Sequence, residues 1–149
     1  MISSAKTSGR PSHSLGESAD QTEMLANEKR ASILVVEDDF LIALELENRL
    51  LDAGYRVVGV ATSASEAVTL GDRERPDLVV MDIRLVGRRD GVDAAIELFK
   101  EFGIRSIFAS AHADPQTRER AAPANPIGWV QKPYPADALI RLIRDFLGR

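Results

Sequence analysis

The sequence predicts a doubly wound α/β protein: a five-stranded parallel sheet in the order 2-1-3-4-5, covered by helices on both faces. Three observations carry that expectation. From Ser32 to the C-terminus, short apolar runs alternate with stretches of helical period. The connections between them are short, as right-handed βα units require. At 149 residues the chain has room for one core of ordinary size and not for two.

The strand "SILVV" comes first, apolar enough to be buried on both faces. After it, Ile42, Leu46, Leu50 and Ala53 fall on one helical face, and Gly54 supplies a left-handed stop. "RVVGVA" is the second strand. Ser63 followed by Glu66 forms a capping box for a second helix, which turns Ala67 and Leu70 inward and ends in the charged "GDRERP". "DLVVMD" is the third strand. Val92, Ala95, Ile96 and Phe99 are spaced i, i+3, i+4 and i+7 on a third helix closed by Gly103, and "IRSIFAS" follows as strand four. A fourth helix within "DPQTRERAAPAN" must be short, because Pro123 and Pro126 stop it. "IGWV" is strand five, and a last helix opened by Pro135 turns Leu139, Leu142, Ile143 and Phe146 inward.

Residues 1–31 are rich in Ser, Gly and charge and lack sustained apolar periodicity, so they read as a flexible tail ahead of a domain at 32–149. Composition excludes several function classes. A formal net charge of −4 offers no broad basic footprint and disfavours direct DNA binding. The absence of cysteine excludes disulfides and thiolate metal sites and makes the cytoplasm the default location. No apolar run approaches the roughly 18 residues of a membrane span, and no signal-peptide core is visible at the N-terminus.

The chemistry collects at strand ends. Glu37, Asp38 and Asp39 follow strand one, and like charges this close either splay into water or hold a cation. In the expected order Asp82 ends the neighbouring strand three, so Glu37, Asp38 and Asp82 converge on the crevice where ligands bind in such sheets. Ser110 and His112 lie at or just past the end of strand four, and Lys132 follows strand five, adding a hydroxyl and an ammonium to the same rim. Oxygen ligands suit a hard cation such as Mg²⁺, for which phosphate oxygens are natural further ligands. An aspartate facing such a metal can act as a nucleophile towards phosphorus. Plainer roles are expected elsewhere: Asp39 caps the first helix, His112 meets solvent, and Trp129 also suits a core position.

These residues resemble the receiver domains of two-component response regulators, the phosphoacceptor half of bacterial histidine-to-aspartate signalling. The resemblance runs from Ser32 to the C-terminus and rests on "VVEDD", "VVMD", "FASA" and "WVQKP", four motifs in order at strand ends. It implies Glu37 and Asp38 as metal ligands, Asp82 as phosphoacceptor and third ligand, and the backbone carbonyl of Arg84 as a further ligand to Mg²⁺. It further implies Ser110 as the switch hydroxyl, Lys132 as the partner of the phosphoryl group, Trp129 as the rotating aromatic and a cis bond at Lys132–Pro133. The donor would be a histidine kinase or histidine phosphotransferase. The output would be a downstream protein bound on the face formed by helix four, strand five and helix five, and a homodimer is compatible with that face.

The departures from the family pattern carry expectations of their own. Val86 stands where a proline is usual, and Gly91 comes nine residues after Asp82 rather than eight. The loop "RLVGRRDG" is therefore expected to have its own shape, with Arg84, Arg88 and Arg89 available to an acidic partner or to phosphate. Arg84 and His112 occupy the positions that often set the rate of phosphoryl loss, and this pair predicts slow self-dephosphorylation. Nothing after the last helix would form an output domain, so a stand-alone receiver is expected, a signalling phosphoacceptor rather than an enzyme. Two alternatives differ by chemistry. A phosphatase with an aspartyl-phosphate intermediate would want an acid where Arg84 stands, and a receiver-like interaction module acting without phosphorylation would need no Mg²⁺ site.

Overall fold

The computed structural model describes residue 21 and residues 30–111, 113–133 and 136–148. The chain divides into two units, Met1–Arg30 and Ala31–Arg149, and the description below concerns the second. Apart from residues 21, 30 and 31, the expected tail lies outside the described residues, as do His112 and Pro135.

Strands β1 (Ser32–Val36), β2 (Arg56–Ala61), β3 (Leu78–Asp82), β4 (Ser106–Ser110) and β5 (Gly128–Gln131) alternate with helices α1 (Phe40–Asp52), α2 (Ala64–Glu74), α3 (Gly91–Phe102), α4 (Pro115–Ala121) and α5 (Ala136–Leu147). A 3₁₀ turn, Ala122–Ala124, follows α4. The strands form one sheet in the order β2-β1-β3-β4-β5, and every pairing is parallel. The expected doubly wound α/β fold is thus the observed one.

Alternation along the central strands sorts their side chains into two cores. Leu34, Val36, Val79, Met81 and Phe108 face α2 and α3, where Ala64, Ala67, Val92, Ala95 and Leu98 meet them. Ile33, Val35, Leu78, Val80 and Ile107 face the other way and pack on Leu46, Leu50, Leu139 and Ile143 of α1 and α5. Every residue of β1, β3 and β4 is buried, which explains why these strands read as unbroken apolar runs.

Helix ends follow local chemistry. Asp39 caps α1 as expected, its Oδ1 accepting from Leu41 N at 3.0 Å and Ile42 N at 3.1 Å. Ser63 caps α2 by accepting from Glu66 N at 3.2 Å, but the box closes one residue early: Glu66 Oε1 accepts from Thr62 N at 2.7 Å. α2 ends within "GDRERP", as expected. The helix runs to Glu74 and stops where Arg75 takes a left-handed φ of 47° before Pro76. Gly71 keeps the helix close to α3, since a Cβ there would lie 2.3 Å from Leu98 Cδ2.

Two expected faces are rotated, and a third is narrower than expected. The buried side of α1 is Ala43, Leu46 and Leu50, and Ile42 is exposed. On α3 the buried residues include Val92, Ala94, Ala95 and Leu98, with Ile96 and Phe99 only partly covered. On α5 Leu139 and Ile143 are buried, while Phe146 lies outside beneath the Arg105 guanidinium, 5.2 Å from the ring centroid. On α1 and α3 a small residue, Ala43 or Ala94, takes the inward place, since close helix-sheet contact favours it over the bulkier neighbour.

Candidate functional site

The carboxyl ends of β1, β3, β4 and β5 open on one rim, and register delivers the acids to it. β1 lies between β2 and β3, with Val36 paired to Met81, so Glu37 follows directly beside Asp82. Glu37 N donates to Ala61 O at 2.9 Å, which anchors the turn after β1 to β2. The carboxylate oxygens of Glu37, Asp38 and Asp82 come within 4.8 Å of one another, with Glu37 and Asp82 buried and Asp38 exposed. The three acids are therefore one cluster.

Lys132 answers part of their charge. Its Nζ donates to Glu37 Oε1 at 2.6 Å and stands 3.3 Å from Asp82 Oδ2, and Lys132 N donates to Ser110 O at 2.8 Å. Burial works against a charge on Lys132, but the hydrogen bond to Glu37 and the charges of Asp82 and Glu37 outweigh it, so the ammonium is held above its ordinary pKa. The Lys132–Pro133 bond is cis. Glu37 also accepts from Asp39 N at 3.1 Å through Oε2, so both of its oxygens are engaged, and each keeps lone-pair capacity for a further partner. An all-oxygen donor set, half-buried and carrying more negative charge than Lys132 cancels, fits a hard divalent cation.

Ser110 is buried at the end of β4, next to the strand that carries Asp82. Trp129 pairs across strands with Phe108 and stacks on it, ring centroids 4.6 Å apart at 28°. The Arg118 guanidinium also meets the ring, 4.7 Å from its centroid. Arg84 lies two residues beyond Asp82 with its side chain exposed. Of the loop arginines, Arg84 and Arg88 are exposed, and Arg89 is bound to Glu97 of α3.

The structure adds residues that the motifs did not single out. A Cβ at Gly91 would fall 1.9 Å from Asp82 O and 2.9 Å from Ile83 Cα, and Gly91 N donates to Ile83 O at 2.7 Å. The start of α3 is thus pressed against the backbone that bears Asp82. Asp90 and Asp93 close a capping box there, and Arg120 of α4 binds both carboxylates. Asp90 and Asp93 stand at N-cap and N3, a legible capping pattern, whereas nothing local marks Arg120 as their partner. Beside the rim, α1 exposes Phe40, Leu41 and Leu44, and a cavity of about 260 Å³ opens between α1 and α5, lined by Ile42, Leu46, Arg49, Pro133, Leu139 and Ile140 among others.

Comparison with known proteins agrees with this geometry. The family model of the response regulator receiver domain matches residues 33–144. The transcriptional regulatory protein PdtaR of Mycobacterium tuberculosis is 36% identical over 117 residues, covering 78% of this chain and 57% of that protein. The phyllosphere-induced regulator PhyR of Methylorubrum extorquens is 36% identical over 118 residues, covering 78% of this chain and 44% of its own. The chain thus spans about half the length of these relatives. Among solved structures, the signal receiver domain of a modulated diguanylate cyclase from Desulfovibrio desulfuricans aligns with a TM-score of 0.72 at 38% identity, covering 78% of this chain and 92% of that one. With its strand order, its acid cluster and these matches in accord, the chain belongs to the response regulator receiver domains.

Proposed function

We propose that this chain is a phosphoacceptor: it takes a phosphoryl group from a histidine kinase or histidine phosphotransferase onto Asp82 and changes its binding to a downstream protein. The observation that carries this reading is Lys132 Nζ set between Glu37 at 2.6 Å and Asp82 at 3.3 Å, with Asp38 in the same cluster. Asp38 and Asp82, with Glu37 and the Arg84 carbonyl, would hold Mg²⁺, which when bound would offset charge on the transferring phosphoryl oxygens. An Asp82 carboxylate oxygen forms the new bond to phosphorus while the phosphorus–nitrogen bond of the phosphohistidine breaks, and the imidazole nitrogen leaves with the electron pair. Lys132 neutralises the phosphoryl oxygens from one side, and the Ser110 hydroxyl donates to another.

The aspartyl phosphate adds close to two negative charges at the rim. Lys132 and Ser110 then have a new anion to meet, which supports a shift in β4, β5 and the Trp129 ring towards a second packing. Phe40, Leu41 and Leu44 beside exposed Asp38 favour a helical phosphodonor docked against α1. The face of α4, β5 and α5 is the proposed output surface. We assign the chain to the cytoplasm as a signalling protein rather than an enzyme, with a slow loss of phosphate because Arg84 can shield the site and His112 supplies no carboxylate to orient water. Among the described residues no helix is long and apolar enough to cross a membrane.

Trp129 is the sole tryptophan, so the test is optical. Mg²⁺ followed by beryllofluoride should change its fluorescence in two saturable steps, and both should vanish in Asp82→Asn. Silence to both ligands would favour an interaction module that works without phosphorylation.

A further inference from the structure

Helix α4 is fastened in an unusual way. It has seven residues, Asp114 as its N-cap and Ala121 as its only buried residue among those described, so apolar burial does little to fix it. Beyond its core end at Ala121 and Ala124, two arginines tie it to its neighbours. Residues two apart on a helix point about 200° from one another. Arg118 accordingly reaches Trp129 on β5, at 4.7 Å from the ring centroid, and Arg120 reaches the opposite side to Asp90 and Asp93 at the start of α3, with Arg120 Nη1 to Asp93 Oδ1 at 3.4 Å.

Both anchor points belong to the parts that phosphorylation would disturb. The Asp90–Gly91 end of α3 is packed on the backbone of Asp82 and Ile83. Trp129 is packed on Phe108, two residues before Ser110. We propose that Arg118 and Arg120 form a two-sided clamp that sets the resting position of α4 and couples the loop after Asp82 to Trp129 through that helix. The clamp itself is defined by Arg118, Arg120, Asp90, Asp93 and Trp129; its role in signalling rests on Asp82 being the phosphoacceptor. Arg118 and Arg120 are positioning residues, since neither touches the acid cluster. The clamp offers a second route from Asp82 to α4, besides Ser110 and the rotating aromatic.

A clamp specific to the resting state opposes the activated one, and removing it must raise the affinity for whatever selects the activated state. The test uses the full chain and Arg120→Gln, which leaves Arg118, Trp129 and the acids in place. Acrylamide quenching of Trp129 without Mg²⁺ should increase, because α4 no longer holds Arg118 over the ring. Calorimetric titration with beryllofluoride in Mg²⁺ should show binding tightened by about fivefold, the low end of measured couplings. Arg120→Lys, which keeps the charge but not the fork, should fall between. Unchanged quenching overturns the clamp, and so does altered quenching with unchanged beryllofluoride affinity, which would make Arg120 a fastener without a signalling role. If the wild-type chain takes no beryllofluoride, the phosphoacceptor reading fails, and quenching alone then decides whether the clamp exists.

Discussion

The central strands and helix α4 sit in the same domain but are held by different forces. β1, β3 and β4 are buried along their whole length, and Phe108, Leu34, Ile33 and Met81 are sealed from water. Each such side chain contributes about 1.5–3 kcal/mol through burial. α4 buries Ala121 and the turn after it buries Ala124, while Arg118 and Arg120 add contacts that are partly exposed and worth roughly 0.5–1 kcal/mol each. The difference teaches that position and response are divided between elements. The apolar frame holds the acids in register, while α4, part of the proposed output surface, is tied by links weak enough for one charged event to shift.

That contrast breaks first in the frame. Phe108→Ala removes a fully buried ring that also supports Trp129, and the expected cost is about 4 kcal/mol in urea unfolding, with a large change in Trp129 emission. Gly91→Ala comes next. Its methyl would collide with Asp82 O, so the start of α3 must back away, at a cost of about 2–3 kcal/mol and with weakened Mg²⁺ binding as Asp82 shifts. Ser106→Ala sharpens the contrast in the other direction. The Ser106 hydroxyl is buried without a hydrogen-bond partner among the described residues, so its loss should leave stability unchanged or raise it by about 1 kcal/mol, read from the urea midpoint.

The smallest effect is on the fastened helix. Burial pulls the Asp90 carboxyl up, but the Arg120 hydrogen bond, the backbone donors of Asp93 and Val92 and the Arg120 charge outweigh it and hold the pKa below its usual value. A lowered carboxylate pKa stabilises above the unfolded value of about 4 and is lost as pH falls through the folded one. Trp129 quenching should therefore rise on acidification below about pH 4, and the part due to the clamp should be missing in Asp90→Asn, with Asp93, Arg89 and Glu97 as the other charges at that helix start.

Much of this was legible in the sequence, for reasons that also mark its limits. The acids at strand ends could be placed because a parallel order fixes which strands are neighbours, and that order brings Asp82 beside Glu37 without any side-chain detail. α4 could be called short because Pro123 and Pro126 leave no room for another turn. The inward faces of α1 and α3 are rotated from the expected stripes because periodicity identifies a stripe but not which small residue, Ala43 or Ala94, allows the closest approach. The end of α2 could be placed within "GDRERP" because charge and Pro76 end the helix there, whereas the packing of Gly71 against Leu98 has no local signal. The clamp was invisible because Arg120 and Asp90 are thirty residues apart in the chain, and only the folded layers bring them together.

The most direct measurement is intact-mass analysis after incubation with acetyl phosphate and Mg²⁺. The account predicts one phosphoryl group per chain, dependent on the divalent ion, mapping to Asp82 and absent in Asp82→Asn. No adduct, or an adduct that persists in Asp82→Asn, would contradict it.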